Sequence, residues 1–221
     1  MDLADLARRL ALSLVPMILS LSVHEFAHAK TAQLLGDDTA RLQGRLTLDP
    51  RAHVDPVGTL LLPVLSVLMG GMAFFGWARP VPVRPDRFRE RVPRRLGMAV
   101  VSAAGPVSNL VIAILAAAGL SSLVRLGVVM TDAGKPTAVA LLLDATLTLN
   151  VGLAMFNLLP VPPLDGHRLV PAFLDKLMRP LERYGFAVLM AVFLFLPGVA
   201  EVVFYRPLAA VTGLLRASFG V

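Results

Sequence analysis

Apolar residues along this chain come in long runs rather than in the short alternations of a water-facing fold. Five runs stand out: Leu10 to Leu34, Val57 to Trp77, Leu96 to Leu120, Thr137 to Leu159 and Tyr184 to Phe204. Each is close to the ~20 residues a helix needs to cross a bilayer core. Between the first two runs the period changes. In Ala40 to Leu48, Ala40, Leu42, Gly44, Leu46 and Leu48 alternate with Arg41, Gln43, Arg45 and Thr47, which predicts a half-buried strand. The stretch RPVPVR, Arg79 to Arg84, is restricted by its prolines to an edge strand or a polyproline-like segment. In the tail, Leu208, Val211, Leu215 and Phe219 recur at helical spacing and predict an interfacial helix. With no internal repeat, low-complexity tract or linker, residues 1–221 read as one integral-membrane domain. The fold class expected is an all-α polytopic membrane protein, with a short membrane-associated β segment.

Composition narrows the picture. Of 221 residues, 56% are hydrophobic and 16% charged, and the mean hydropathy is +0.72, which excludes a soluble globule, a disordered chain or a collagen. No cysteine is present, so disulfides, thiolate catalysis and Cys-based metal sites are excluded, and His, Asp and Glu remain as the strong ligands. The net charge of +6 is compatible with nucleic acid, yet two Tyr and one Trp offer little for base stacking, and unevenly placed arginine reports membrane orientation more simply. Arg8, Arg9, the apolar run and Ala27-His28-Ala29 imitate a secretory signal peptide. The ionisable His24, Glu25 and His28 interrupt that run where cleavage would be prepared, so Leu10 to about Leu34 reads as an uncleaved first helix.

Those three residues open the chemistry. In HEFAH, residues 24–28, His24 and His28 are one helical turn apart and share a face, with Glu25 beside them. Two imidazoles so spaced can bind one zinc ion through ring nitrogens, and the Glu can act as general base toward a water the metal activates. Five residues alone match by chance in many proteins. Inside an apolar helix, however, three ionisable groups are costly unless paired, metal-bound or facing a polar cavity, and a metal-free packing cluster is the competing reading.

A catalytic zinc normally takes three protein ligands. Asp165 is the leading candidate for the third. It lies in FNLLPVPPLDG, residues 156–166, where Pro160, Pro162 and Pro163 force the chain out of helical geometry. Broken backbone at membrane depth is tolerated only against protein or a water-filled cavity, which marks Asn157 and Asp165 as cavity residues. Asp165 could instead cap the chain at the membrane surface, and Asn157 could hydrogen-bond between helices.

With these segments in view, the chain resembles the site-2 protease family of intramembrane zinc metalloproteases (peptidase family M50), in a short form without a PDZ domain. The resemblance rests on HEFAH at 24–28, AGPVSN at 104–109 and FNLLPVPPLDG at 156–166, in the family's order. It implies one Zn2+ per chain held by His24, His28 and Asp165, with Glu25 as catalytic base and Asn157 near the substrate carbonyl. It further implies that Gly105, Pro106 and Asn109 form a packing feature of the core helices. Val57 to Trp77 is a departure, an apolar insertion that compact members lack.

Parity constrains that insertion. The His motif lies near the end of the first helix, and Asp165 lies just past the helix that ends at Leu159. A full crossing by Val57 to Trp77 would leave the two sites on opposite faces, a core of roughly 30 Å apart. A re-entrant hairpin turning near Gly70-Gly71 lets them converge. With re-entry, fifteen Lys and Arg lie on the motif side, including the seven arginines from Arg79 to Arg95; only Arg8, Arg9, Arg125 and Lys135 lie opposite before the final helix. By the positive-inside rule the motif side is then cytoplasmic, in a bacterial or archaeal cell membrane; topogenic charge is the first reading of the arginine run, and binding of anionic lipid or an acidic substrate segment is the alternative. His53, in HVDP, either orders its loop or lines the cleft. His167 either faces the surface or orients Asp165.

The expected activity is hydrolysis of a peptide bond in or near a transmembrane segment of another protein, as in regulated intramembrane proteolysis. Such a substrate must unwind, and Ala40 to Leu48 offers an edge for it. The lipid bilayer is the other partner expected, and nucleic acid is not. Two other classes remain. A metal-ion transporter would continue its polar residues through the membrane, for which Asp144, Thr146, Thr148 and Asn150 are the only material. An inactive scaffold would have lost Glu25 or a ligand, and none is lost.

Overall fold

In a computed structural model that describes residues 2–69 and 76–221, apart from the side chains of 175–180, the chain is built from helices. The first, α1 (Leu3–Leu35), begins where the Asp2 carboxylate accepts the Asp5 N–H at 2.6 Å and ends at Gly36, whose φ of 115° lets the Asp37 N–H return to the Ala32 carbonyl at 2.9 Å. A single helical turn, α2 (Thr39–Leu42), follows. A π-helical turn at Pro56–Leu61 leads into α3 (Leu62–Leu68). Then come α4 (Arg94–Arg125), α5 (Ala138–Asn157), α6 (Asp175–Phe195), the short α7 (Pro197–Ala200) and α8 (Arg206–Phe219). Among the described residues, four stretches are long and apolar enough to cross a membrane: α1, α4, α5 and the run Pro197–Phe219. The chain is an integral membrane protein.

Three expectations are corrected. Ala40 to Leu48 is no strand: Thr39–Leu42 is helical, and Gly44 at φ 67° turns the chain. The alternation misleads because Leu42 and Leu48 are exposed whereas Arg45 is buried. Arg45 donates to the carbonyls of Arg79 at 2.6 Å and Pro80 at 3.3 Å, so the neighbouring segment is held by a side chain rather than by a ladder. Among the described residues no sheet forms. Secondly, Tyr184 to Phe204 is not one helix. It breaks at Leu196, because Pro197 has no N–H to continue the α6 ladder. Thirdly, the tail expected at the interface is continuous with that break and belongs to the candidate span Pro197–Phe219.

The helical part of the insertion, Pro56–Leu68, is too short to cross. Its two flanks meet: the Trp77 N–H donates to the Gly58 carbonyl at 3.3 Å, and Thr59 Oγ1 donates to the Trp77 carbonyl at 2.7 Å. The turn expected at Gly70-Gly71 lies outside the described residues.

Small side chains bring the spans together. Ala113, Ala116 and Ala117 of α4 pack on Leu147 and Val151 of α5, with Phe204 and Leu208 closing the cluster. Met17 and Leu21 of α1 pack on Leu149 and Leu153 of α5. The segment 78–84 is tied across the end of α1 by the buried Asp37, whose Oδ2 accepts the Arg84 N–H at 2.6 Å, and by the Arg79 N–H, which donates to the His53 carbonyl at 2.8 Å. The cleft lies between that segment, α1, α4 and the loop after α5.

Candidate metal centre and catalytic cleft

His24, Glu25 and His28 are buried on one side of α1. The two imidazoles stand at 88° to one another with Nε2 atoms 2.9 Å apart. Asp165 reaches them from a 3-10 turn, Asp165–Leu169, that follows α5, and its Oδ2 lies 3.1 Å from His24 Nε2 and 3.2 Å from His28 Nε2. Gly166 permits this fold-back, because a Cβ there would run into the carbonyl groups of Leu158 and Leu159. The far nitrogens are engaged as well. His28 Nδ1 lies 2.7 Å from the Val101 carbonyl, and His24 Nδ1 lies 2.6 Å from Asn109 Oδ1. A carbonyl oxygen only accepts, so His28 carries its proton on Nδ1 and presents a lone pair at Nε2.

Three electron-rich atoms therefore face one point. Asp165 Oδ2 is buried and nothing is aligned to donate to it, although both Nε2 atoms are near. Such a triangle is repulsive unless a cation stands at its centre. Its edges of 2.9–3.2 Å compare with roughly 3.3 Å between ligands of a tetrahedral zinc. Gly105 on α4 leaves the room: a Cβ there would lie 2.5 Å from His24 Cε1 and from His28 Nε2. The residues fit a zinc ion. Glu25 has its own ligand-capable oxygen within 4.8 Å of the histidines, yet its Oε2 is held by the Val81 N–H at 2.8 Å, which turns it toward the cleft wall.

The model of peptidase family M50 matches residues 12–197, a span that contains all four of these side chains. The chain belongs to peptidase family M50. Among its relatives is YwhC of Bacillus subtilis, named as a zinc metalloprotease, 44% identical over 82% of this chain and 82% of its own length. Rip2 of Mycolicibacterium smegmatis and Rip2 of Mycobacterium tuberculosis, which carry the same description, are 33% and 34% identical over 78% and 80% of this chain. The matched region is 62% and 64% of those two proteins. No solved structure gives a significant match.

The M50 centre opens into a cavity of about 610 Å³ walled by Trp77, Val81, Val83, Met98 and Phe186. Trp77 and Phe186 meet edge to face at 5.8 Å and join the insertion to α6. Asn157 lines this cavity, and its Nδ2 donates to the Leu153 carbonyl of its own helix at 3.0 Å rather than to another helix. His167 also lines it, with Nδ1 donating to the Leu164 carbonyl. His53 is outside the cavity lining; its Nε2 donates to the Thr47 carbonyl at 2.8 Å, the loop-ordering arrangement, and Asp55 instead caps the N–H groups of Val57 and Gly58.

Sequence reasoning passed over two features. Gly105, Pro106 and Asn109 were expected to pack helices, but Gly105 makes the hole for the imidazoles and Asn109 holds one of them. Asn150 was grouped with a possible transport lane, whereas its amide is bonded to Asn109 at 2.8 Å and Ser20 at 2.7 Å. The available signal was the cost of a fully buried amide in an apolar helix.

Proposed function

We propose that this M50 peptidase is an intramembrane zinc metalloprotease that hydrolyses peptide bonds in or near transmembrane segments of other membrane proteins. The observation that carries the reading is the convergence of His24, His28 and Asp165 on one point beside Glu25, inside a bundle of apolar helices. His24, His28 and Asp165 hold the ion, one per chain. When bound, zinc supplies a water of near-neutral pKa and an electrophile for the scissile carbonyl. Glu25, its carboxylate steadied by Val81, takes a proton from the attacking water and returns it to the leaving amine. Asn157 keeps one amide proton after its bond to Leu153 and donates it toward the carbonyl oxygen as charge develops there. The apolar walls accept an unwound stretch of a former helix, whose carbonyls are hidden until it unwinds.

The insertion is re-entrant in this reading, and the site faces the cytoplasm of a bacterial or archaeal cell. Support comes from the paired flanks at Gly58 and Trp77, the shortness of Pro56–Leu68 and the arginine bias. Residues 1–221 act as one domain. The test is cleavage of single-span substrates by zinc-loaded protein in proteoliposomes, with Glu25→Gln as the control. Fragments that appear equally with wild type and Glu25→Gln refute the assignment, as does a wild-type protein that takes up no zinc.

A further inference from the structure

Behind the metal centre lies a polar cluster that spans three helices and touches no substrate-facing surface. Asn109 on α4 and Asn150 on α5 are both 0% exposed, and Ser20 on α1 is 1% exposed. The cluster has a direction, and one backbone group sets it. Asn150 Nδ2 lies 2.8 Å from the Thr146 carbonyl, which can only accept, so the nitrogen end of the Asn150 amide must point there. Its second proton goes to Ser20 Oγ at 2.7 Å. Asn150 Oδ1 is thereby turned to α4, where it accepts from Asn109 Nδ2 at 2.8 Å. That bond in turn leaves Asn109 Oδ1 facing His24 Nδ1 at 2.6 Å. An acceptor at that position requires the proton of His24 on Nδ1 and a lone pair on Nε2.

We propose that Asn150 is a positioning residue for the metal: anchored on the Thr146 carbonyl, it orients the Asn109 amide and so fixes the tautomer of His24 in which Nε2 can ligate. The inference rests on His24 being a zinc ligand. Without Asn150 the Asn109 amide is free to turn over and present its NH2 to the ring, which pulls the His24 proton to Nε2 and closes that ligand. Amides suit the task at membrane depth, because they impose a direction without adding charge to a centre that already holds two carboxylates. Partners that orient a ligating histidine typically change metal affinity by about 10–100-fold when removed.

The experiment measures zinc affinity of the purified full chain in detergent by chelator competition, with fold checked by thermal unfolding. Asn150→Leu is expected to bind zinc about 10–100-fold more weakly than wild type. Ser20→Ala, which deletes one bond of the cluster but leaves the Thr146 anchor, is expected to stay within about twofold, since the direction of the relay is unchanged. The decisive variant adds Asn109→Asp to Asn150→Leu. A carboxylate presents an oxygen to His24 whichever way it turns, so it needs no orienting partner, and affinity is expected to return to near the wild-type value. If Asn150→Leu does not fold, Asn150→Ala, which adds no bulk, carries the same expectations. Wild-type affinity in the Asn150 variant, an equal loss in Ser20→Ala, or no recovery with Asn109→Asp overturns the relay and leaves a packing cluster. Those failures are distinct from failure of the metal site itself, in which wild type binds no zinc or His24→Ala binds it as well as wild type.

Discussion

Gly105→Ala adds one methyl group to α4 and nothing to the chemistry, yet it strikes the centre. The new Cβ would stand 2.5 Å from His24 Cε1 and His28 Nε2 and 2.6 Å from His24 Nε2. Carbon and nitrogen rest near about 3.5 Å, so the rings must retreat by roughly 1 Å or the helices must part by as much. Neither is free to do so. His28 is tethered to Val101, four residues from Gly105 on the same helix, and His24 to Asn109, four residues to the other side. A shift of 1 Å is several times the ~0.2 Å within which metal–ligand distances hold, and inserting a methyl group into a packed core itself costs about 1–3 kcal/mol. Zinc affinity is therefore expected to fall by at least about 10²-fold, with turnover lost in parallel. Gly152→Ala is the control, since its Cβ would meet Leu208 Cδ1 at an ordinary 3.9 Å on the neighbouring helix α5. The assay is zinc content after dialysis against a graded chelator, with cleavage measured on the same preparation. Gly105→Ala with wild-type zinc and turnover would show that the imidazoles do not rest against α4 as described.

Other outcomes follow from the same geometry. Glu25→Gln should keep one zinc per chain and lose at least about 10²-fold in turnover, because the amide keeps the Val81 contact but takes no proton; loss of zinc along with activity would make Glu25 a ligand. Asp165→Ala should release zinc under mild chelation without unfolding the chain, and zinc content equal to wild type would remove Asp165 from the site. Single cysteines placed at Asp55 and Arg84 in this Cys-free chain should react with an impermeant thiol reagent from the same side of the membrane. Labelling from opposite sides would end the re-entrant reading of the insertion.

Most of the helical frame was legible because hydrophobic length is a strong signal in a membrane chain. The runs Leu96 to Leu120 and Thr137 to Leu159 correspond to α4 and α5 within a few residues at most ends. Ala40 to Leu48 failed for a definite reason. Period-two alternation presumes that the apolar set is the buried one, and here only Ala40 of that set is buried while Arg45 of the polar set is buried too, drawn in by carbonyls thirty-four and thirty-five residues away. Nothing local to those nine residues announces such a partner. The last spans failed at Pro197, where length was given more weight than the proline. In the cleft, the residues of HEFAH and Asp165 stood out by chemical type, and the structure brings them together. The strap contact from Val81 to Glu25 and the Asn150–Asn109–His24 relay were not legible, because each depends on a backbone donor or an amide orientation that only the assembled helices define.

The polar residues of α5 bear on the transport reading. A transport lane would need Asp144, Thr146, Thr148 and Asn150 to offer unused polar atoms in succession. Instead Arg216 of α8 donates to Asp144 at 2.7 Å and to Thr148 at 3.1 Å, which ties the C-terminal helix to α5. Thr146 Oγ1 donates to the Leu142 carbonyl of its own helix, and its main-chain carbonyl anchors Asn150. The apolar cluster of Ala116, Ala117, Leu147 and Val151 packs between α4 and α5 alongside these residues. Each group of the quartet is thus spent on a neighbour, two on holding α8 and two on the wall behind the metal centre. A permeation path would need these groups free to take up and release an ion in succession, and here they are bonded within the helical bundle.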